Sequence, residues 1–366
     1  MKIHLILLLY ILLLGFFVYV LMYKRGHNTN KFFVIASFLP VFIIETLRAD
    51  TVGEDTLTYL KGYIHVNTLH GSWEEQTWEK AYLLLNIAVG KISNCNQQLL
   101  LGAVSLIILF GVGYFIIENC DGITAFGPVY FFVTLNHYLT SMVSLRQYCA
   151  LAIGINAYTI LRKKDSLKSY IQALILIGIA ILFHNTAFVL IIIPFLMHFK
   201  KVERKHIIIT ICSIGLIIVL FTPILNMFYR IFPLYYRYSL MGHAKYSGRS
   251  LGKVYIALLI LKTLCLLSVF YLSPQNTSNK DLYRLSIFSA LGAGISLMTT
   301  RIFIVWRFGY YFDIFLILML PKLAKKFVGI SGLFVNSVFY LFGLSYYIFL
   351  LFANSSGCIP YKFFWS

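Results

Sequence analysis

The sequence predicts an all-α, polytopic transmembrane helical bundle of about twelve spans, and three observations carry that expectation. Only 12% of its 366 residues are charged and 60% are hydrophobic, where soluble domains are about a quarter charged. Mean hydropathy is +0.81. The apolar runs recur at the length a bilayer demands, roughly 20 residues per helix. No water-soluble core could hide so much apolar surface, so the bilayer is the solvent for most of it. The whole chain, 1–366, reads as one integral membrane domain, with no soluble domain, low-complexity linker or internal repeat.

In chain order the spans fall near 3–23, 32–47, 97–117, 123–141, 145–161, 169–184, 186–199, 206–222, 254–272, 283–299, 303–321 and 328–351. The first lacks a small-residue cleavage site and is soon followed by another span, so it reads as a retained helix and not a signal peptide. The second and seventh are short for full crossings, which suits tilted, broken or re-entrant segments. Basic clusters follow the first span (Lys24, Arg25, Lys31) and the fifth (Arg162, Lys163, Lys164, Lys168). Others follow the seventh (Lys200, Lys201, Arg204, Lys205) and the eleventh (Lys322, Lys325, Lys326). All four fall on one side, which the positive-inside rule makes the cytoplasm. Both termini and the long loops 48–78 and 223–253 then face outward. The stretch "WEKAYLLLNIAVGKIS", 78–93, is apolar enough to enter the membrane. Counting it as a crossing would put the RKKDSLK loop outside, so it reads as an interfacial or re-entrant helix over the outer surface.

Part of the net charge of +18 is this topological excess. The basic residues are scattered between spans and form no compact basic domain, which argues against nucleic acid as a partner. The six cysteines (Cys95, Cys120, Cys149, Cys212, Cys265, Cys358) include no CxxC pair and read as structural thiols. The nine histidines form no HxxxH or HxH pair, and His65 with His70 on a loop makes a poor metal site. Neither a metal nor a cofactor is expected.

Chemistry gathers on the outer face. Seven of the thirteen acids (Glu45, Asp50, Glu54, Asp55, Glu74, Glu75, Glu79) lie between positions 45 and 79. An exposed loop that is merely polar would account for the clustering, and so would work at the membrane–water boundary. Within "RADTVGEDTLTYLKGY", Arg48 ends the second span three residues after Glu45. An i,i+3 ion pair explains both, yet a guanidinium fork at headgroup depth also suits phosphate oxygens. Gly53 permits a turn that other residues resist. Asp55 then opens a helix on which Asp55, Tyr59 and Tyr63 share a face. It is either a helix N-cap or a carboxylate beside a tyrosine-lined groove, placed to hold a sugar or take a proton from its hydroxyl.

Further along, "MVSLRQYCALAIG" places Arg146 at the outer mouth of the fifth span, and "AILFHNTAFVLIIIPF" places His184 and Asn185 at an outer turn. A histidine there is either a packing residue or a proton-transfer group. In "TTRIFIVWRFGYYFDIF", Arg301 stands at the outer end of the eleventh span and Arg307 within it. Six residues separate Arg307 from Asp313, which puts them on different helical faces, so Arg307 calls for another anion such as a lipid phosphate.

"RADTVGEDTLTY" after an early span resembles the signature of the EpsG family, Wzy-type bacterial polysaccharide polymerases. "SLRQYCALAI" is similar to that family's arginine-led span, "ILFHNTAFVLIIIP" to its histidine segment, and "IPYKFF" to its tail. The four pieces occur in the family's order from about residue 40 onward. The chain departs from the pattern at Glu54 and at Asn185-Thr186, and loop 223–253 has no counterpart. The resemblance implies an enzyme of the bacterial cytoplasmic (inner) membrane, multi-pass, with its active site facing outward. Such an enzyme joins oligosaccharide repeat units carried on undecaprenyl pyrophosphate, a lipid-linked donor and acceptor being its partners beside the bilayer, a flippase and a chain-length regulator. The expected roles are Arg48, Arg146, Arg301 and Arg307 on the donor pyrophosphate, and Asp55 or His184 as the base. Tyr59, Tyr63 and Glu79 would line the sugar cleft.

Two rival readings remain at this stage. A GT-C-type glycosyltransferase using polyprenyl-phosphate sugars also places an acid in an early outer loop, but adds single sugars. A flippase or transporter for lipid-linked sugars predicts charges at mid-membrane and duplicated halves, whereas the acids here gather on one face.

Overall fold

The computed structural model describes residues 1–22, 26–68, 78–199, 204–231, 253–271, 280–299 and 305–366, and every regular element among them is helical. Helix is what an apolar run adopts when the solvent offers no hydrogen bonds, because it satisfies its own N–H and C=O groups. Large apolar side chains face outward in number, among them Phe110 (75% exposed), Leu333 (70%) and Ile330 (89%). In water such a surface would aggregate, and in lipid it is the expected exterior.

The chain forms two compact units, one of Met1–His198 with Val338–Ser366, the other of Phe199–Ser337. In the first, α1 (Lys2–Phe16) runs on into a π-helical turn and α2 (His27–Thr46) follows. A turn leads to α3 (Thr56–Thr68), α4 (Lys80–Ser93) and α5 (Gln97–Asn119). Next come α6 (Phe126–Thr134), α7 (His137–Val143), α8 (Leu145–Gly154), α9 (Asn156–Lys163) and α10 (Leu167–Phe183). A 3₁₀ turn over Asn185–Ile191 enters α11 (Ile192–His198). The second unit holds α12 (Arg204–Ile231), α13 (Lys253–Tyr271), α14 (Lys280–Met298), α15 (Trp306–Asp313) and α16 (Leu316–Ala324). The last helix, α17 (Gly329–Ala353), begins in the second unit and ends in the first.

The expected count of about twelve spans is not confirmed. Among the described residues, four helices are long and apolar enough to cross a membrane: Lys2–Leu21, His27–Thr46, Gln97–Asn119 and Gly329–Ala353. Other apolar runs are shorter or divided. The run 123–141 breaks between α6 and α7 because Asn136 takes φ 75°, a left-handed conformation no α-helix continues through. The run 145–161 divides at Ile155, and 303–321 divides at Ile314–Phe315. Loop 223–253 is also shorter than expected, since α12 carries Pro223 in its interior and continues to Ile231. The rest of that loop lies outside the described residues.

The expected interfacial or re-entrant segment 78–93 is helical as α4, whose 14 residues span about 21 Å, too short for a hydrocarbon core about 30 Å thick. It packs on α3, α5 and α10, with Tyr82, Asn86 and Gly90 meeting α3, while Ile92 is 86% exposed. In loop 48–78, residues 56–68 are α3 and residues 69–77 lie outside the described set. In the second unit, Lys262 is fully buried on α13, pairs with Asp313 at 2.6 Å and donates to Ser296 Oγ at 3.0 Å. That pair ties α13, α14 and α15 together and gives Asp313 a partner other than Arg307.

Candidate functional site

The segment Arg48–Asp55 is held from beneath by the interior and from its side by the C-terminal tail. Arg48 is 1% exposed. Its Nη2 donates to the Met142 carbonyl at 3.1 Å and its Nη1 to the Glu45 carbonyl. The Glu45 carboxylate, also 1% exposed, accepts from Ser105 Oγ and Ser141 Oγ, each at 2.6 Å. So Glu45 and Arg48 do share a buried face, but hydroxyls hold the carboxylate and main-chain carbonyls the two terminal guanidinium nitrogens, while Arg48 Nε has no hydrogen-bond partner. The tail closes the other side: Ala49 N–H donates to Lys362 O at 2.9 Å, Phe364 N–H to Leu47 O at 3.0 Å and Gly53 N–H to Gly357 O at 2.9 Å. Gly53 sits at φ +96°, and a Cβ there would come within 2.7 Å of Thr56 Oγ1 and 3.0 Å of the Met142 carbonyl. The turn therefore requires glycine.

Three polar side chains from distant parts of the sequence meet above α3 and α4. Glu79 precedes α4 and is 9% exposed, Arg146 opens α8 and is 20% exposed, and His184 ends α10 and is 11% exposed. The Glu79 carboxylate divides its oxygens between the others. Oε2 accepts from Arg146 Nη1 at 2.5 Å, while Oε1 accepts from His184 Nδ1 at 2.7 Å and from the Asn185 backbone N–H at 3.1 Å. Partial burial pushes the Glu79 carboxyl up, but the hydrogen bond from His184 and the charge of Arg146 outweigh it and hold it down at about 2. An ionised carboxylate only accepts, so Nδ1 of His184 carries its proton. The other ring nitrogen, Nε2, has no hydrogen-bond partner among the described residues. Arg146 lies over two rings, its Cζ 5.8 Å from the centroid of Tyr59 and 5.9 Å from that of Trp78. Those rings, with Tyr82 edge-on to both, form an aromatic wall at one side of the cluster.

Of the sequence-predicted residues, the structure thus brings together Arg146, His184, Glu79 and Tyr59. Asp55 is exposed on the turn leading into α3, one helical turn before Tyr59, whose N–H donates to its carbonyl at 3.1 Å. No hydrogen bond or ion pair joins the Asp55 carboxylate to the cluster among the described residues. Two expectations change. Arg48, expected on a donor pyrophosphate, is interior and has both terminal nitrogens on carbonyls, which makes it a brace for the turn. Tyr63, expected to line a sugar cleft, is fully buried with its hydroxyl 3.0 Å from Ser93 Oγ, so it joins α3 to the end of α4. Arg307 lies on α15 in the second unit, half-buried, and Arg301 lies outside the described residues.

Sequence reasoning missed Trp78 and the Asn185 N–H. A signal for Trp78 was available: it immediately precedes Glu79, and Gly62 on α3 leaves the space its indole fills, since a Cβ there would lie 2.2 Å from the ring.

A family model described as the EpsG family matches residues 31–363, nearly the whole chain. No curated protein and no solved structure matches it.

Proposed function

The chain belongs to the EpsG family, a family of Wzy-like polymerases, and from that premise we propose that it polymerises lipid-linked oligosaccharide repeat units at the outer face of the bacterial cytoplasmic membrane. The donor in this reading is a growing glycan on undecaprenyl pyrophosphate and the acceptor a single lipid-linked unit. The acceptor hydroxyl attacks the donor's anomeric carbon, the bond from that carbon to pyrophosphate breaks, and undecaprenyl pyrophosphate leaves. Two demands follow. A proton must be taken from the acceptor hydroxyl, and the departing negative charge must be stabilised.

The observation that carries the reading is that Glu79 joins Arg146 to His184. His184 offers Nε2 as the base, and Glu79 on Nδ1 fixes its tautomer and stabilises the imidazolium that forms, the role a carboxylate plays behind a histidine in acyl transfer. Arg146 supplies the cation for the departing pyrophosphate. Tyr59, buried beneath Arg146, backs the wall, and the half-buried Trp78 offers its open side to a sugar ring. Asp55, exposed at the start of α3, orients the acceptor or shares the base role. Phosphate binding is the role proposed for Arg301 and Arg307 from their residue type alone. Arg48 acts as a positioning residue, holding the turn from which Asp55 and Tyr59 project.

Deleting the gene and resolving surface polysaccharide by gel tests the reading. Products one repeat unit long support a polymerase, complete loss of surface glycan favours a flippase, and a shortened repeat unit favours a transferase of single sugars. Alanine at Arg146 or Asp55 is expected to leave lipid-linked units unextended, and normal chain length in either variant removes that residue from the site.

A further inference from the structure

We propose that Glu79 is a built-in stand-in for the anionic end of the substrate. A pyrophosphate entering the site displaces it from Arg146, and Glu79 stays seated on His184. This deepens the function proposed above and rests on it for the identity of the anion. The argument is in the division of the carboxylate. Oε1 has two donors of its own, His184 Nδ1 at 2.7 Å and the Asn185 N–H at 3.1 Å, and Oε2 has Arg146. Arg146 can therefore be released while both contacts that fix Glu79 to the His184 turn persist. Arg146 also interacts with the Tyr59 side chain, and it still has a donor to spare. Its Nε is buried without a hydrogen-bond partner, and an arginine has five N–H donors. The aromatic faces of Tyr59 and Trp78 hold the guanidinium in place when Glu79 lets go.

The exchange couples two events. With Arg146 turned to the pyrophosphate, the Glu79 charge is no longer shared, and it acts on His184 alone. Glu79 is then a positioning residue with a cost: it competes with the substrate for Arg146.

The test is titration of inorganic pyrophosphate, with chelator present, into the purified full-length chain in nanodiscs. Glu79→Gln is expected to bind about tenfold tighter than wild type, the scale of one charge-assisted hydrogen bond no longer competed for. Arg146→Gln is expected to lose binding. Glu54→Gln, which removes an exposed acid from the same region, is expected to match wild type. Equal or weaker binding by Glu79→Gln overturns the exchange, and so does equal tightening by Glu54→Gln, which would make the effect one of net charge. A second measurement does not depend on the variants folding: imidazole ¹⁵N NMR of wild type is expected to show the His184 Nδ1 hydrogen bond retained at saturating pyrophosphate, and its loss overturns the proposal. None of these measurements involves glycan, so a chain that exchanges anions as described but never polymerises would sink the polymerase reading alone.

Discussion

Replacing Glu79 by glutamine keeps the shape of the side chain and removes the charge that joins Arg146 to His184. Two routes give the size of the effect. The carboxyl is held at about 2 against an ordinary 4.5, and that difference corresponds to about 3 kcal/mol favouring the ionised form in the folded chain. Hydrogen bonds to charged groups contribute about 1.5–3 kcal/mol each, and Arg146 and His184 provide two of them, part of which a neutral amide retains. With part of the second sum retained by the amide, both routes are consistent with a loss of about 3 kcal/mol. The group's folded value is depressed, so its contribution is complete above about 4.5 and is lost as pH falls through about 2. Unfolding of wild type and Glu79→Gln in nanodiscs should therefore differ by about 3 kcal/mol at pH 7 and by about 2 at pH 3.5. A difference under about 0.5 kcal/mol at pH 7, or one that widens on acidification, would refute the assignment of Glu79 as the ionised hub.

Gly53→Ala forces a Cβ into a left-handed turn and against the Met142 carbonyl, so it should lower stability by about 2 kcal/mol and shorten the polysaccharide, read by thermal unfolding and gel. For Arg48→Ala the expected defect is in folding: it abandons the Glu45 and Met142 carbonyls in the interior, and detergent-extracted protein should show a lower unfolding temperature. Truncation after residue 354 removes the strand-like contacts of the tail with Leu47, Ala49, Gly53 and Glu54. It should abolish chain extension while leaving protein in the membrane fraction, and normal extension would show that the tail does not order the site.

Class was legible from composition because a bilayer admits few backbone solutions, and the apolar runs therefore had to be helices. The breaks were not. Asn136 interrupts "FVTLNHYLTSMV", where hydropathy continues straight through, and its left-handed conformation has no local glycine to announce it. The site divided in the same way. Arg146, His184 and Glu79 were each visible as polar groups interrupting or flanking apolar stretches. Their meeting was not, since the contacts close over 67 and 105 residues and depend on how α4, α8 and α10 pack. Arg48 looked accessible because it follows a span, yet its burial is set by a tail some three hundred residues later, with Phe363 bridged opposite it. Glu79 was expected on a sugar, and the structure places its carboxylate between Arg146 and His184.

Purified protein supplied with synthetic lipid-linked repeat units, and its products resolved by mass, would test most directly whether the Glu79 cluster is a polymerising centre. Wild type should yield a ladder spaced by whole repeat units with release of the polyprenyl pyrophosphate, while Arg146→Gln and His184→Gln, folded and membrane-inserted, leave the single unit unchanged. A ladder spaced by single sugars, or wild-type ladders from both variants, would contradict the account.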